Sequence, residues 1–170
     1  MFKHTKKIAN NRSILTLCSA ALCLLVASGA SMASTRDYQA GPIWSQADAE
    51  RKCPALAKKH RLGWNGQWRT TIPGKMSVCG LETLVTVYQH CNYGGYAVNL
   101  SPGSYTMAQL KALGIRNDDL SSLRVKKGYV AVVYQHDGYK GKKWDFTQNS
   151  SCLVNQQLND EISSIYIQKL

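Results

Sequence analysis

The pattern of apolar and polar residues changes near residue 80. From residue 84 to residue 170, short runs of β-branched and aromatic residues are separated by turns at intervals of about 8 to 12 residues, which is typical of an all-β domain. Residues 107–113 are predicted to be helical instead. The predicted strands are residues 86–88, 96–100, 123–125, 130–134, 143–146 and 162–167.

Before residue 80 the pattern predicts one helix and two strands. Ser45 is a suitable N-cap with Asp48 three residues later, and an imperfect apolar stripe follows along the helix. Pro54 is expected to bend or interrupt this helix. Residues 67–72 and 75–79 read as strands joined around a Pro-Gly turn. This N-terminal unit is therefore predicted to be α+β, with a short helix on a small antiparallel sheet.

The β-rich segment contains a duplicated unit. Asn-Asp-Asp-Leu-Ser-Ser at residues 117–122 returns 42 residues later as Asn-Asp-Glu-Ile-Ser-Ser at residues 159–164. Val-Tyr-Gln-His precedes each copy, at residues 87–90 and 133–136. Such a repeat indicates a repeated structural unit. Two β units that each expose an apolar face are expected to pack together as a β-sandwich.

The two hexapeptides are rich in hard oxygen donors. Carboxylate, amide, hydroxyl and main-chain carbonyl oxygens in one turn suit Ca²⁺ better than softer metals. The alternative is an ordinary turn, because Asn, Asp and Ser side chains also bond to nearby backbone groups. Two copies in matching register favour calcium.

The first 33 residues have the three parts of a secretory signal. A cationic start is followed by an almost wholly apolar or small run at residues 14–27 and by small residues at positions 31–33. An uncleaved membrane anchor is the alternative. With the signal removed, 137 residues remain, none of which could span a bilayer, and the protein is expected to be secreted or periplasmic.

The net charge of the chain excludes few classes of binding partner. The signal holds four of the 21 Lys and Arg and none of the 10 Asp and Glu, so the formal net charge falls from +11 to +7 on cleavage. The basic residues are scattered and match no nucleic-acid motif, so no specific nucleic-acid partner is predicted.

Four cysteines follow the signal, and an even number in an oxidising compartment predicts disulfides. Three connectivities are open. We favour Cys53 with Cys79 and Cys91 with Cys152, because each bridge then stays within one of two segments, residues 34–80 and 81–170. Closing loops of these lengths contributes roughly 3 to 4 kcal/mol each.

Residues 84–169 resemble the βγ-crystallin family. The resemblance rests on Tyr88-x4-Tyr93-x-Gly95 and on the same pattern from Tyr134 to Gly141, each followed by its hexapeptide. It implies two Greek-key motifs in one sandwich, with the glycines permitting a folded hairpin and the tyrosines packing over it.

Both hexapeptides obey the Asn/Asp-Asn/Asp-x-x-Ser/Thr-Ser pattern of the calcium-binding members of that family. The resemblance implies two Ca²⁺ sites. The second residue of each copy would bind through its side chain and the third through its main-chain carbonyl, while the serine in fifth place would reach the site built mainly by the other copy. The implied ligands are Asp118, Asp119, Ser121, Asp160, Glu161 and Ser163.

The N-terminal segment, over residues 41–79, is similar to the mannan-binding lectin domain first known from a cyanobacterium. The matching strings lie at residues 41–45, 66–70 and 73–78. The resemblance implies binding of high-mannose glycans or mannan. The alternative is that the tryptophans are core residues. The implied sugar contacts are Trp44, Gly66, Gln67, Trp68, Arg69, Thr70 and Thr71.

Two function classes follow. The first is a secreted lectin for mannose-type glycans, in which the calcium-stabilised sandwich serves as a rigid carrier or as a second binding surface. The alternative is a secreted protease inhibitor or an antimicrobial or antifungal protein. No enzymatic activity is expected, because His90 and His136 occupy equivalent positions of the repeat and no nucleophile motif is present. One lectin unit would need self-association as a homo-oligomer for high avidity, which the sequence leaves open.

Overall fold

The computed structural model describes residues 35–156, 158 and 161–170. The predicted signal lies outside these residues. The described residues belong to one compact unit that contains two hydrophobic cores. Within the part of the chain that the structure describes, no helix has the length and apolar character needed to cross a membrane.

The N-terminal unit is a helix packed on a three-stranded antiparallel sheet with strand order β1-β3-β2. This confirms the α+β prediction. The first strand was not predicted. The elements are β1 (Arg36–Gly41), α1 (Gln46–Lys59), β2 (Gly63–Ile72) and β3 (Met76–Glu82).

Helix α1 begins as the sequence predicts, with the Ser45 side chain accepting a hydrogen bond from the Asp48 N–H at 3.2 Å. The expected interruption at Pro54 was wrong, since the helix continues through this residue to Lys59. The buried face of the helix is joined to β3 by the disulfide between Cys53 and Cys79, whose residues are both fully buried. These tertiary contacts stabilise the helix where proline removes one backbone hydrogen bond.

The second part is all-β apart from a short helix, as predicted. Its two sheets have the strand orders β5-β4-β7 and β6-β10-β8-β9. The three-residue strand β6 was not predicted. The elements are β4 (Val85–His90), β5 (Gly94–Leu100), β6 (Gly103–Tyr105), α2 (Met107–Ala112), β7 (Ser122–Val125), β8 (Tyr129–His136), β9 (Lys140–Phe146) and β10 (Ser164–Lys169).

The two repeats exchange their third strands, which is how the Greek keys interlock. Strand β6 of the first repeat pairs with β10 of the second, and Ser150 of the second repeat bridges to Leu123 on β7. The sandwich core lies between the sheets and is built from both repeats, for example from Val87 and Ile165. A disulfide between Cys91 and Cys152 joins the repeats, with the Cα atoms 4.5 Å apart.

The N-terminal unit is seated against the first repeat. Ser101 Oγ donates a buried hydrogen bond to the Leu62 carbonyl at 2.9 Å, and Lys126 forms an ion pair with the buried Glu82. A Cβ on Gly63 would overlap the Leu84 side chain, so this side chain packs directly on the Gly63 backbone, and only glycine fits there without a shift of Leu84.

Candidate functional sites

The last serine of each hexapeptide is part of the scaffold. Ser122 Oγ accepts a hydrogen bond from the Tyr93 N–H at 3.1 Å and donates to the His90 carbonyl at 2.6 Å. Ser164 makes the same two bonds with Tyr139 and His136, at 3.0 and 2.8 Å. Both serines are fully buried. Each therefore fastens the folded hairpin of its own repeat.

The folded hairpins need unusual backbone angles. Tyr93 and Tyr139 have φ values of 63° and 62°, a region that favours glycine. Each packs edge-on against the tyrosine five residues earlier, with ring centroids 5.5 and 5.6 Å apart. Cβ atoms on Gly95 and Gly141 would also lie within 3 Å of neighbouring side chains. The repeat thus places both hexapeptides in the same local setting.

The third residue of each hexapeptide has its carboxylate held by neighbours. Gln89 Nε2 and the Tyr96 hydroxyl both donate to Asp119 Oδ2, at 3.2 Å each. In the second repeat, Gln135 Nε2 donates to Glu161 Oε2, also at 3.2 Å. Burial raises the pKa of the Tyr96 hydroxyl, which keeps its proton for Asp119. Each carboxylate is thus positioned by hydrogen bonds from its own repeat, and the resemblance implies that Asp119 and Glu161 would bind a metal through their main-chain carbonyls.

Among the described residues of the two hexapeptides, Ser163 and Asn117 make a contact from one copy to the other. Ser163 Oγ of the second copy lies 3.5 Å from Asn117 Oδ1 of the first, and the Asn117 amide also contacts the Asp118 carboxylate. Asp118 has a φ of 54°, so the backbone turns sharply at this point. Hydroxyl, amide and carboxylate oxygens from two repeats therefore meet at one place, and this donor set fits Ca²⁺.

For two other predicted metal ligands, Asp160 and Ser121, the structure gives less information. Asp160 lies outside the described residues. The Ser121 main chain is used in the fold, its N–H bonding to the Tyr88 carbonyl at 3.0 Å and its carbonyl accepting from the Leu153 N–H at 2.7 Å. Among the described residues, no three His, Cys, Asp or Glu side chains are grouped as a metal site. A site built mostly from hydroxyl, amide and main-chain oxygens would not form such a group.

Trp44 is the most exposed large apolar side chain of the molecule's described part, at 71%. Its backbone is nevertheless fixed. The N–H of the preceding Ile43 bonds to the buried Ser77 Oγ at 3.2 Å, and the Trp44 N–H bonds to Asp48 Oδ2 at 3.3 Å. A Cβ on Gly74 would lie 3.6 Å from Trp44 Cη2, so the indole extends over the β2–β3 turn. Trp44 therefore presents an exposed aromatic ring from a backbone that is held by hydrogen bonds.

Trp68 has a different environment. It is half-buried and packs against the core of the N-terminal unit, and its indole N–H donates to Gln46 Oε1 at 2.8 Å. Thr70 follows on the same face of β2, with its Oγ1 3.4 Å from Ser77 Oγ. This is the face of the sheet that α1 covers, since Trp68 pairs with Cys79 in the register and Cys79 is bonded to the helix.

The predicted sugar contacts therefore divide between the two faces of the sheet. Arg69 points away from Trp68 and Thr70 and forms an ion pair with Asp37 on β1 at 2.6 Å. Gly66, at a φ of 88°, and Gln67, whose N–H bonds to Asn65 Oδ1, lie in the middle of β2 where the register with β3 shifts. Thr71 lies beside the β2–β3 turn, where its hydroxyl bonds to the Met76 carbonyl. The structure brings Trp44, Trp68 and Thr70 to one face and places Arg69 on the other.

Gln46 and Asp37 were not predicted as site residues, yet each bonds to a predicted one. Gln46 is the first residue of α1, and only its helical position after the Ser45 cap brings it toward β2. Asp37 lies on β1, and its approach to Arg69 depends on β3 lying between the two strands. Neither contact could be predicted from the sequence, because both depend on how α1 and the three strands are arranged in space.

These features define the class of protein: an α+β unit with an exposed tryptophan precedes a double Greek-key sandwich of the βγ-crystallin type. Known proteins resemble the N-terminal unit in sequence. Residues 46–81 match the family described as Mannan-binding protein. Over 46 residues the chain is 41% identical to the lectin MVL of Microcystis viridis, a match that covers 27% of this chain and 40% of that one.

Other known proteins resemble the β-sandwich part of the chain. Over 83 residues the chain is 41% identical to Development-specific protein S of Myxococcus xanthus, covering 49% of this chain and 47% of that one. A βγ-crystallin domain structure from Flavobacterium johnsoniae matches at 43% identity with a TM-score of 0.49, covering 51% of this chain and 94% of that one. Both resemblances drawn from the sequence are confirmed. The chain spans less than half the length of either of these two curated relatives.

Proposed function

We propose that this protein is a secreted or periplasmic lectin whose N-terminal unit binds mannose-type glycans at a site centred on Trp44. The observation that carries this is the exposure of the Trp44 indole on a backbone fixed at both sides. An indole offers an apolar plane to the C–H face of a sugar ring and an N–H to a sugar hydroxyl. The similarity to a mannan-binding lectin supports the choice of mannose.

Trp68 and Gln46 have a positioning role in this proposal. The hydrogen bond between them uses the Trp68 N–H, so Trp68 offers the sugar less than Trp44 does. Ile72, 52% exposed at the same end of the hairpin, adds apolar surface near the β2–β3 turn. Arg69 belongs to the opposite face, where the ion pair with Asp37 already engages it. We expect it to matter little for a sugar bound at Trp44.

The test is binding of mannotriose and yeast mannan by Trp44→Ala, measured by isothermal titration calorimetry. Loss of the aromatic plane is expected to weaken binding about tenfold or more, whereas Trp44→Phe retains most of it. Leu170→Ala is the matched control, because Leu170 is the other most exposed apolar side chain, at 69%. Undiminished binding by Trp44→Ala would refute the site. Inhibition of a secreted protease by a wild-type protein that binds no sugar would favour the inhibitor class instead.

We further propose that the sandwich binds Ca²⁺ at the junction of the two hexapeptides. The Asp118 carboxylate, the main-chain carbonyl of Asp119 and the Ser163 hydroxyl would hold the ion in the first site. The duplicated hexapeptide predicts a second site with Asp160, Glu161 and Ser121. The ion would supply a fixed link between the repeats, and its binding free energy would add to the stability of the folded protein.

The double variant Asp118→Ala/Asp160→Ala tests this second proposal. Wild type at a free Ca²⁺ concentration about 100-fold above its Kd should gain roughly 2.7 kcal/mol of unfolding free energy, and the variant should gain little. Asp37→Ala serves as the control, because it removes a carboxylate far from the hexapeptides in the sequence. An equal calcium effect on wild type and the double variant would contradict the assignment.

A further inference from the structure

A cleft of about 530 Å³ lies in the second repeat of the sandwich, outside both sites described above. It is lined by consecutive residues, from Lys143 on β9 to Ser150. Strand β9 is the end strand of its sheet in the described part of the chain. The cleft is therefore formed where the chain leaves the edge of one sheet and crosses to the other.

Comparison of the two repeats shows what is special about this edge. Trp144 and Phe146 occupy the positions that Val98 and Leu100 hold in the first repeat. Val98 and Leu100 are buried, at 7% and 0% exposure, whereas Trp144 and Phe146 are half-buried: they pack against the sandwich core and also line the cleft. Since the first repeat closes its edge with two aliphatic residues, the second repeat differs in leaving part of two aromatic rings exposed to the cleft.

The remaining wall of the cleft is polar, and hydrogen bonds to β7 hold it in place. Asn149 Oδ1 accepts a hydrogen bond from the Val125 N–H at 2.9 Å, and the Ser150 main chain pairs with Leu123 through bonds of 2.9 and 3.0 Å. Thr147 and Gln148, just before this anchor, are exposed. The cleft thus combines a rigid aromatic floor with hydroxyl and amide groups at its rim.

The charges in the cleft balance. Lys143 Nζ lies 3.8 Å from Asp145 Oδ2, and both side chains are well exposed. An ionic ligand would gain little from such a pair, whereas a neutral ligand with many hydroxyl groups can use the donor and acceptor groups together. A volume of this size with aromatic residues and a few polar groups is typical of small-ligand sites.

We propose that this cleft is a second carbohydrate site, which binds a neutral sugar through Trp144 and the rim residues Thr147 and Gln148. It is independent of the mannose site at Trp44. Two sites on one chain would allow a single molecule to bridge two glycans or two branches of one glycan, which raises avidity without self-association. Addition of a peptide strand to the edge of β9 is disfavoured by the exposed Lys140 and Lys142, since edge lysines oppose strand pairing.

The experiment follows the indole N–H signals of the four tryptophans by NMR during titration with mannotriose and, separately, with N,N′-diacetylchitobiose. Trp144→Val, which installs the residue of the first repeat, assigns the Trp144 signal by its disappearance. In the Trp44→Ala protein, the Trp144 signal should shift in a saturable way with at least one of the two sugars. Absence of any shift with either sugar would overturn the proposal.

The double variant Thr147→Ala/Gln148→Ala then tests the rim. It should weaken the binding that shifts the Trp144 signal by about tenfold, whereas the control Lys140→Ala, on the same strand but outside the cleft lining, should leave it unchanged. An unchanged affinity in the double variant would also overturn the proposal. Signals of Trp44 and Trp144 are read separately, so failure of one site is distinguishable from failure of the other.

Discussion

Neighbouring residues of each hexapeptide differ in what their side chains contact. In the second copy, the Ser163 hydroxyl faces the first copy, whereas the Ser164 hydroxyl is buried in its own hairpin. The serines at the fifth and sixth positions therefore have separable roles, one in the proposed metal site and one in the scaffold. The family resemblance implied a ligand role for the fifth-position serine alone, and the scaffold role of the sixth-position serine is evident only from its contacts in the structure.

Ser122→Ala and Ser164→Ala are expected to destabilise the protein by similar amounts. Each substitution leaves a tyrosine N–H and a histidine carbonyl without the hydroxyl that joins them. An unsatisfied buried polar group costs about 1 to 3 kcal/mol. Urea unfolding gives the free energies, and Ser104→Ala, an exposed serine on β6, is the control. Losses below about 0.5 kcal/mol would show that the hairpins do not depend on these bonds.

The sequence predicts which residue types form the candidate sites, but not how exposed each side chain is. The oxygen-rich hexapeptides and the tryptophans are visible in the sequence, but exposure is not. Trp44 and Trp68 look equivalent as candidates, and only the packing of α1 on β2 separates the exposed ring from the half-buried one. Alternation along β2 likewise places Arg69 opposite Trp68, although the two are adjacent in the chain.

At the scale of elements, the first turn of α1 connects the helix to the proposed sugar site. Asp48 is nearly buried, accepts hydrogen bonds from Lys52 and from the Trp44 N–H, and pairs with Arg51. The hydrogen bond from Lys52 lowers the pKa of the Asp48 carboxyl below its ordinary value against the opposing effect of burial, and the Trp44 N–H adds to the lowering. The carboxylate is thus stabilised in the folded state.

Asp48→Asn should therefore destabilise the protein at neutral pH by an amount that shrinks in acid. A carboxyl whose pKa is lower in the folded than in the unfolded state stabilises the fold above the unfolded pKa, and this contribution is lost as the pH falls through the folded pKa. The difference in unfolding free energy between wild type and variant should begin to shrink at about pH 4, the ordinary range of an Asp carboxyl, and disappear only below the lower pKa of the folded state. Glu50→Gln, an exposed change on the same helix, is the control. A difference that stays constant with pH would contradict this role.

Strands with a strong β pattern were predicted and weak ones were missed. Strands β4, β5, β7, β8 and β9 contain the runs predicted for them, and β10 begins two residues after the start of its predicted run. Strand β1, with Tyr38 as its one large apolar residue, and the three-residue β6 lack such a pattern. They are strands because β3 and β10 present open edges to them, which is a tertiary effect.

On the scale of the whole molecule, the contact between the N-terminal unit and the sandwich was beyond the sequence analysis. The change of pattern near residue 80 suggested two adjacent segments, but not which surfaces meet. The structure shows a hydrogen bond from Ser101 to Leu62, an ion pair from Lys126 to Glu82 and tight packing at Gly63. These residues come from four separate places in the chain, at residues 62–63, 82, 101 and 126, so no local pattern could reveal their proximity.

This contact predicts that calcium on the sandwich also stabilises the N-terminal unit. If the two parts open together, any ligand that binds the folded sandwich lowers the population of open states in both. Hydrogen exchange measured by mass spectrometry should then show that Ca²⁺ slows exchange in β2 and β3 as well as in β10. Ser101→Ala/Lys126→Ala should confine the effect to the sandwich, whereas Lys127→Ala, an exposed neighbour, should not. Slowing in the sandwich alone in the wild type would refute the coupling, and slowing nowhere would refute the calcium site itself.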